Sequence, residues 1–393
     1  MVASFCLFLI LKITFCMKKY DIVLFGATGF TGKIVAQYLS QFASDEHIRW
    51  AIAGRERNKL VQLSSTLKNA IPDIIIADVN DELSLKDMAS QAVLIMNTVG
   101  PFNWYGKSVL DACIQQKANY IDITGEPYFI HKTYTDYNEL AQKQNITIIN
   151  CCGFDSIPAD LVAWMTAKKL PVNEPKVLYA FVDTNATFSG GTITTAIDAL
   201  YQSSNKKYDI PKSKKHKDAP KASLKIHFNK DINKWVIPMP VADPHIVRRS
   251  IEKMPEIYGE AVTYRQYLVR DSFYQVLKIV VPVFITMLLI RFDFYRNWLL
   301  KKFKSGSGPS EERRSKSKFD ITCIGKSTNH EAKSVMSGAD PGYNETAKMF
   351  SEAGFSLIEK SRSNSLKHGV CTPMEALGAN LIDRLKNKDI NIS

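Results

Sequence analysis

A glycine-rich turn near the start of the chain carries the clearest chemical signal in the sequence. Glycines recur at positions 26, 29 and 32, between an apolar run and a segment whose apolar residues repeat at helical spacing. Glycine allows the positive φ and close backbone approach that so tight a turn needs, and the following helix presents unpaired N–H groups to an anion. This strand–turn–helix context predicts a pyrophosphate site, with a turn kept for packing alone as the alternative. The expected contacts are Gly26, Thr28, Gly29, Phe30, Thr31 and Gly32.

The residue after the second predicted strand indicates which dinucleotide would bind. A site specific for NAD places an acidic side chain there for the ribose 2′-hydroxyl, whereas this chain has Arg55. An arginine can pair with a 2′-phosphate and stack on adenine, so we predict NADP as the cofactor; a solvated surface arginine is the alternative. Asp78, after the third strand, is placed either for the adenine amino group or to cap the next turn.

Three later strands end in segments that could surround a nicotinamide and a substrate. The carboxyl ends of parallel strands meet at one edge of a sheet, where α/β proteins bind ligands. There we expect Asn97, Gly100 and Pro101 to contact the cofactor and Glu126 or Asp155 to relay a proton, with ordinary turn and helix-capping roles as the alternative. Tyr105 is a weaker proton-donor candidate. No motif predicts a metal site, and the Tyr-x-x-x-Lys pairs are too frequent by chance to carry weight.

The elements that must position these residues form two regions. Strands rich in isoleucine and valine alternate with amphipathic helices, so residues 17–150 are predicted to form a Rossmann-type α/β domain with a doubly wound parallel sheet. Residues 151–386 are predicted to form an α+β substrate domain, with a basic insertion at 206–221 and a helix over 336–353. Residues 1–16 are interpreted as an apolar leader or a mis-set translation start.

Composition limits the class of protein. The 393 residues are 45% hydrophobic and 23% charged, which excludes disordered, collagen-like and disulfide-built classes. Seven scattered cysteines favour a reducing, intracellular location. The net charge of +12 is concentrated in residues 201–319, but no module for reading nucleic acid accompanies it, so no nucleic-acid partner is expected.

A short apolar run in the second region suggests contact with lipid. Residues 279–290 are continuously apolar, yet a helical membrane span needs about twenty residues. Aromatic and basic residues flank the run, a pattern typical of a segment in the headgroup boundary. We therefore predict that residues 276–304 form a membrane-surface or lipid-droplet anchor, with a buried helix of the second domain as the alternative.

Several motifs occur together in this chain. They are the glycine turn, 53–55, 100–102, 122–126, Gly153-Phe154-Asp155-Ser156-Ile157-Pro158-Ala159-Asp160 and 369–373. This set resembles the saccharopine dehydrogenase-like oxidoreductases, a group that includes trans-acting enoyl reductases of mycobacterial lipid and glycolipid synthesis and lipid-droplet-associated animal proteins.

The resemblance implies an NADP-type Rossmann domain and an apolar or carrier-bound lipid substrate reduced at a double bond; saccharopine itself is not expected. The alternative is a catalytically inactive dinucleotide-binding protein that acts at a membrane or lipid-droplet surface. A homodimer is left open.

Overall fold

The fold is described from a computed structural model of the chain. The structure describes residues 18–186, 197, 201, 216–239, 241–302 and 310–393. The predicted leader at 1–16 and most of the basic insertion at 206–221 lie outside these residues.

A parallel sheet forms the first layer of the molecule. Its strand order is β13-β6-β5-β4-β1-β2-β3, and every neighbouring pair is parallel. The chain runs outward from β1 to β3 and then crosses to β4 on the other side of β1, so the order reverses between β1 and β4, where open α/β sheets bind ligands. The strands are β1 (Tyr20–Phe25), β2 (Trp50–Gly54), β3 (Asp73–Ile76), β4 (Ala92–Asn97), β5 (Asn119–Asp122), β6 (Thr147–Ile149) and β13 (Gly369–Cys371).

Helices connect these strands and cover both faces of the sheet. The central strand β1 is buried along its whole length, which explains why it reads as a continuous apolar run. The predicted doubly wound α/β fold is confirmed. The connecting helices are α1 (Phe30–Phe42), α2 (Arg57–Ser64), α3 (Glu82–Ser90), α4 (Phe102–Gln116) and α5 (Pro127–Gln144).

A mixed sheet forms the second layer. Its order is β14-β12-β11-β7-β10-β9-β8, in which β7 and β10 are parallel and the other pairs are antiparallel. The second domain is therefore α+β, as predicted. Its strands are β7 (Lys176–Thr184), β8 (His227–Asn229), β9 (Lys234–Pro238), β10 (Val262–Arg270), β11 (Phe319–Lys326), β12 (Glu331–Gly338) and β14 (Asn391–Ile392).

The remaining helices lie along and between the two sheets. One apolar core runs through both layers, from Ile22 and Leu24 in the first sheet to Leu178 and Ala180 in the second. The helices are α6 (Ile157–Lys168), α7 (Asp243–Lys253), α8 (Pro255–Tyr258), α9 (Phe273–Leu289), α10 (Asp293–Lys302), α11 (Glu311–Ser315), α12 (Asn344–Arg362), α13 (Pro373–Ala376) and α14 (Gly378–Lys386).

The predicted helix over residues 336–353 is wrong at its start. Met336 belongs to strand β12, which pairs with β11, and α12 begins only at Asn344. Met336 is buried and its neighbours are not, which is strand alternation. Short apolar runs of this kind do not distinguish helix from strand, and the pairing partner decides.

Helix α9 and the turn after it expose an unusual amount of apolar surface. Within α9 the structure buries only Val276, while Phe284 and Met287 are each more than half exposed. The next helix, α10, exposes Phe294 and Trp298. Residues 273–298 hold 12 of the 22 large hydrophobic side chains that are exposed in the described parts of the chain. The segment is therefore not a buried helix of the second domain. No helix among the described residues combines the length and apolar character of a membrane span.

Candidate cofactor and substrate site

The glycine turn after β1 leaves no room for side chains. Gly26 has a φ of +86°, and a Cβ there would lie 2.6 Å from Thr98 Oγ1 and 2.8 Å from Val99 Cγ2. A Cβ at Gly32 would collide with the carbonyl oxygen of Gly26. The turn therefore packs α1 tightly against the ends of β1 and β4, as close approach of the backbone to a pyrophosphate requires.

The start of α1 offers its backbone amides to a ligand. Gly29 is the N-cap, no side chain caps the first turn, and no acidic residue lies in it. Such a helix end favours a negatively charged group. Thr28 and Thr31 are half-buried beside it, and the Phe30 ring packs on Tyr343, with ring centroids 4.6 Å apart.

Arg55 lies at the same edge of the sheet, directly after β2. The register pairs Phe25 of β1 with Ala53 of β2, which brings the glycine turn and Arg55 to neighbouring strand ends. The Arg55 side chain is 69% exposed and lies 3.9 Å from Glu56, whose carboxylate is also bound by Lys59 at 2.8 Å. Arg55 is therefore free to move to a 2′-phosphate, and the residues of this edge fit NADP.

Asp78 takes the turn-capping role that the sequence left open. Its Oδ1 accepts hydrogen bonds from the backbone N (2.9 Å) and side-chain Nδ2 (3.1 Å) of Asn80. Contact between Asp78 and adenine stays a prediction.

Asn97 forms hydrogen bonds that hold the loop after β4 in place. It is fully buried, its Oδ1 accepts from Val99 N at 2.9 Å, and its Nδ2 donates to the Tyr120 hydroxyl at 3.0 Å. Gly100 is exposed and Pro101 half-buried on the loop above it. Direct contact of these three residues with the cofactor stays a prediction, and the structure gives Asn97 a positioning role.

Glu126 is a buried helix cap. Its Oε1 accepts from Phe102 N and its Oε2 from Asn103 N, each at 2.8 Å, so both oxygens hold the start of α4. A carboxylate at a helix N-terminus also interacts favourably with the helix dipole. The catalytic role predicted for Glu126 is untested, and these contacts favour positioning of the Pro101 loop.

Asp155, after β6, has the opposite environment. Its side chain is exposed, and within the described residues no group forms a hydrogen bond or ion pair with its carboxylate. It faces Gly125, where a Cβ would lie 3.2 Å from Asp155 Oδ2. The surrounding protein partly desolvates the carboxylate and raises its pKa to about 6. Asp155 is therefore the carboxyl of this edge that is free to exchange a proton.

A buried carboxylate fixes the loops that carry Glu126 and Asp155. Asp122 accepts from Thr124 N at 3.1 Å, from Asn150 Nδ2 at 2.7 Å and from Cys151 N at 3.0 Å. These bonds tie the ends of β5 and β6 together. Desolvation by burial raises the pKa of Asp122 to about 6.

Sequence reasoning missed a group on the second domain that faces Asp155. Asp243, at the start of α7, is buried and accepts a short hydrogen bond from Gln266 Nε2, while Tyr264 donates to Gln266 Oε1 at 2.8 Å. Burial, and then the negative charge of Asp155, raise the pKa of Asp243. No motif marks this carboxyl in the sequence, because its partners lie more than twenty residues away on β10.

The second domain also closes over the glycine turn. The backbone N of Phe154 donates to Thr346 Oγ1 at 3.2 Å, and Tyr343, three residues earlier, packs on Phe30. The turn, the end of β6 and the start of α12 therefore form one continuous edge. A glycine turn at the switch point of a doubly wound sheet, with the carboxyls of Asp155 and Asp243 near the same edge, is the arrangement expected of a nucleotide-dependent oxidoreductase.

Comparisons with known proteins show similarity to one group of oxidoreductases. Residues 22–149 match the family model described as the saccharopine dehydrogenase NADP binding domain. The chain is 29% identical to the saccharopine dehydrogenase-like oxidoreductase of Bos taurus, with 96% of this chain and 97% of that protein covered. The chain is therefore similar to a saccharopine dehydrogenase-like oxidoreductase over nearly its whole length, and most of its first sheet lies in a region that matches an NADP-binding domain.

Other relatives and one solved structure are similar over most of the chain. A lipid droplet localized protein of Caenorhabditis elegans is 29% identical, with 92% of this chain and 95% of that protein covered. A protein named as a trans-acting enoyl reductase in Mycobacterium tuberculosis is 28% identical, with 95% and 97% covered. Saccharopine dehydrogenase (L-Glu forming) of Saccharomyces cerevisiae has a TM-score of 0.58 at 12% identity, covering 95% of this chain and 99% of that one. This last similarity concerns the fold alone.

Proposed function

We propose that this protein uses NADPH to reduce a carbon–carbon double bond of an apolar, lipid-linked substrate, and that it does so at a membrane or lipid-droplet surface. The name of the mycobacterial relative supports the reaction, and that of the nematode relative supports the location. The proposal concerns reaction, substrate and location, beyond the family and its cofactor.

The observation that carries the reaction is the carboxyl of Asp155 after the end of β6. It is exposed, it accepts no hydrogen bond within the described residues, and desolvation raises its pKa to about 6. The buried carboxyl of Asp243, at the start of α7, also has a raised pKa, to which the negative charge of Asp155 contributes. Both shifts favour the protonated form of a carboxyl beside the expected cofactor site.

Reduction of a double bond consumes one hydride and one proton. NADPH supplies the hydride when it is bound. In this chain the glycine turn and Arg55 hold the phosphates, while the Glu126 cap fixes the loop at Gly100. Asp155 then donates its proton from the carboxyl oxygen to the second carbon of the double bond, and a proton from solvent restores it. The proton step requires the protonated form, so turnover is expected to decline as the pH rises through about 6.

The exposed apolar residues of α9 and α10 support the location. A soluble monomer seldom exposes a contiguous apolar patch of this kind, and such a patch marks a contact with lipid or protein. Arg291, Lys301 and Lys302 lie beside it, and basic side chains near an anionic surface contribute about 1 kcal/mol each. A substrate dissolved in the lipid would then meet its reductase at the surface.

The reaction is tested by following NADPH oxidation with trans-2-enoyl thioesters of increasing chain length. Asp155→Asn should lower kcat by about 100- to 10,000-fold and leave NADPH affinity nearly unchanged. Glu126→Gln should instead lower the melting temperature, because it weakens the cap of α4. Asp45→Asn, at an exposed aspartate, is the control and should change neither quantity.

Two outcomes contradict the proposal. Unchanged turnover in Asp155→Asn would move the proton transfer to another group. Tight NADPH binding without turnover of any enoyl substrate would favour the inactive dinucleotide-binding protein.

A further inference from the structure

A large open cavity lies outside the edge described above. Its volume is about 1180 Å³, and it is bounded by the first turn of α5, one face of α7, residues 255–260, strand β10 and residues 216–224. None of the predicted cofactor or catalytic residues lines it. Its size is that of a site for a nucleotide or a lipid headgroup rather than for a small inorganic ion.

Three arginines line this cavity: Arg248 and Arg249 on α7 and Arg265 on β10. Within the described part of the chain, none of them lies within 4.0 Å of a carboxylate oxygen. Arg249 Nη1 and Arg265 Nε are buried and have no hydrogen-bond acceptor. Arg265 Nη1 donates only to the backbone oxygen of Tyr264, at 2.8 Å.

Packing fixes the position of Arg249, and the other two arginines lie close to each other. The Arg249 guanidinium lies 3.1 Å from the centroid of the Tyr134 ring, which holds its plane. Arg248 and Arg265 are close enough to repel one another: burial, and then the charge of Arg265, lower the pKa of Arg248. The two acidic residues of the lining, Glu252 and Glu260, do not form an ion pair with any of the three arginines. Glu260 lies 3.9 Å from His216 instead.

Partly buried guanidinium groups without partners are energetically unfavourable, because each loses water and receives no acceptor in return. A bound anion would satisfy them. The guanidinium fork matches the paired oxygens of carboxylates and phosphates. Three positive charges exceed the single charge of a carboxylate and suit the two negative charges of a phosphate monoester or a pyrophosphate.

We propose that this cavity binds the phosphate ester of an organic ligand, with Arg248, Arg249 and Arg265 holding the phosphate. The phosphate ester belongs either to a soluble nucleotide-type acyl carrier or to a glycerophospholipid headgroup. The assignment does not depend on double-bond reduction, since it concerns binding at residues outside the cofactor edge.

The test uses the full chain saturated with NADP⁺, so that the cofactor site cannot take up the probe. Isothermal titration measures binding of inorganic pyrophosphate, coenzyme A, short-chain phosphatidate and succinate. Pyrophosphate should bind, and Arg248→Gln and Arg249→Gln should each weaken it by about 10- to 100-fold. Arg313→Gln makes the same charge change on exposed helix α11 and should leave binding unchanged. The affinity for NADPH should be equal in all four proteins.

The two sources are distinguished by their order of affinity. Coenzyme A binding more tightly than pyrophosphate identifies a soluble carrier, and phosphatidate binding more tightly identifies a headgroup; either order supports the assignment. Because Arg249 packs on Tyr134, its variant could lose structure, so Arg248→Gln provides the second measurement. Without ligand, Arg248→Gln should melt no lower than the natural protein, since it removes an unpaired cation. The proposal is wrong if pyrophosphate does not bind at millimolar concentration, if the variants bind it equally well, or if succinate binds more tightly than pyrophosphate.

Discussion

At the scale of single residues, two carboxylates at the carboxyl edge of the parallel sheet have different surroundings. Glu126 and Asp155 both follow a strand of the parallel sheet, and the sequence treats them alike as proton-relay candidates. In the structure Glu126 meets two free amides of α4, whereas Asp155 meets no donor. The two carboxyls therefore have different surroundings: Glu126 holds the start of α4, and the open carboxyl of Asp155 has a raised pKa. We expect a positioning role for Glu126 and proton exchange at Asp155.

We expect Arg55 to determine the preference between NADPH and NADH. The side chain is exposed and only loosely paired with Glu56, so it can form a charged hydrogen bond with a 2′-phosphate. Arg55→Ala should weaken NADPH binding by about 10- to 100-fold and leave NADH binding nearly unchanged. Titration with both cofactors measures this, with Arg57→Ala as the control on exposed α2. Equal affinity of the natural protein for NADH and NADPH would remove Arg55 from the site.

At the scale of elements, α9 is unusual because its helical form is intact while most of its apolar surface is exposed. Ser272 is its N-cap, with a hydroxyl that accepts from Gln275 N at 3.4 Å, and Pro282 lies in the helix interior. Trp235 packs on Phe273 at its base, with ring centroids 4.8 Å apart. Only this base is anchored on the second sheet, so the rest of the helix is presented to its surroundings.

The proposed membrane-surface role of α9 predicts that single charged substitutions in this helix weaken lipid binding. A buried phenylalanine contributes about 1.5–3 kcal/mol, so Phe284→Glu and Met287→Glu should each lower partitioning into anionic liposomes by about tenfold or more. Leu83→Glu replaces an even more exposed apolar residue on α3 and should have no effect. Liposome flotation measures the bound fraction. Flotation of both α9 variants at the level of the natural protein would show that another surface carries the contact.

Sequence patterns predict the elements of the first sheet best, because each of its strands follows the same local pattern. The strands of the first sheet lie buried between helices, so each reads as an apolar run at a regular interval. In the second sheet, β10 pairs with β7, which lies far back in the chain. Strand β12 pairs with the strand just before it, β11, but polar residues interrupt its apolar run. The same reasoning holds for the site: the glycine turn is a local signal, whereas Asp243 and the three arginines become a site only when α7 packs on β10.

At the scale of the whole molecule, Asp160 joins three separate parts of the chain. It lies fully buried in α6, its Oδ2 accepts from Met374 N at 3.0 Å, and Ser250 and Thr372 lie beside it, 2.6 Å apart through their hydroxyls. Burial outweighs these hydrogen bonds and raises the pKa of Asp160 to about 7. The folded protein therefore holds a proton that the unfolded chain, with a carboxyl pKa of 3.8, releases.

This raised pKa predicts how stability depends on pH. The contribution of Asp160 is complete below about pH 4 and is lost as the pH rises to about 7, because the unfolded state then binds fewer protons than the folded state. Asp160→Asn should thus be more stable than the natural protein at pH 8 by about 1–3 kcal/mol and similar at pH 4. Urea unfolding at both values measures the difference, with Asp45→Asn as the control. A variant less stable at pH 8 would show that the fold prefers the charged carboxylate.

The late position of β13 in the sequence determines when the first sheet can be completed during synthesis. It pairs with β6 at the edge of the first sheet, yet each of its residues lies 222 positions after its partner, as Gly369 does after Thr147. A nascent chain on the ribosome therefore presents the backbone of β6 as an open edge until its last residues emerge. Unpaired edges recruit strands from other chains, and distant pairings form slowly. Strand β6 is thus paired on both sides only after synthesis has passed residue 371, and not when the first domain alone has folded.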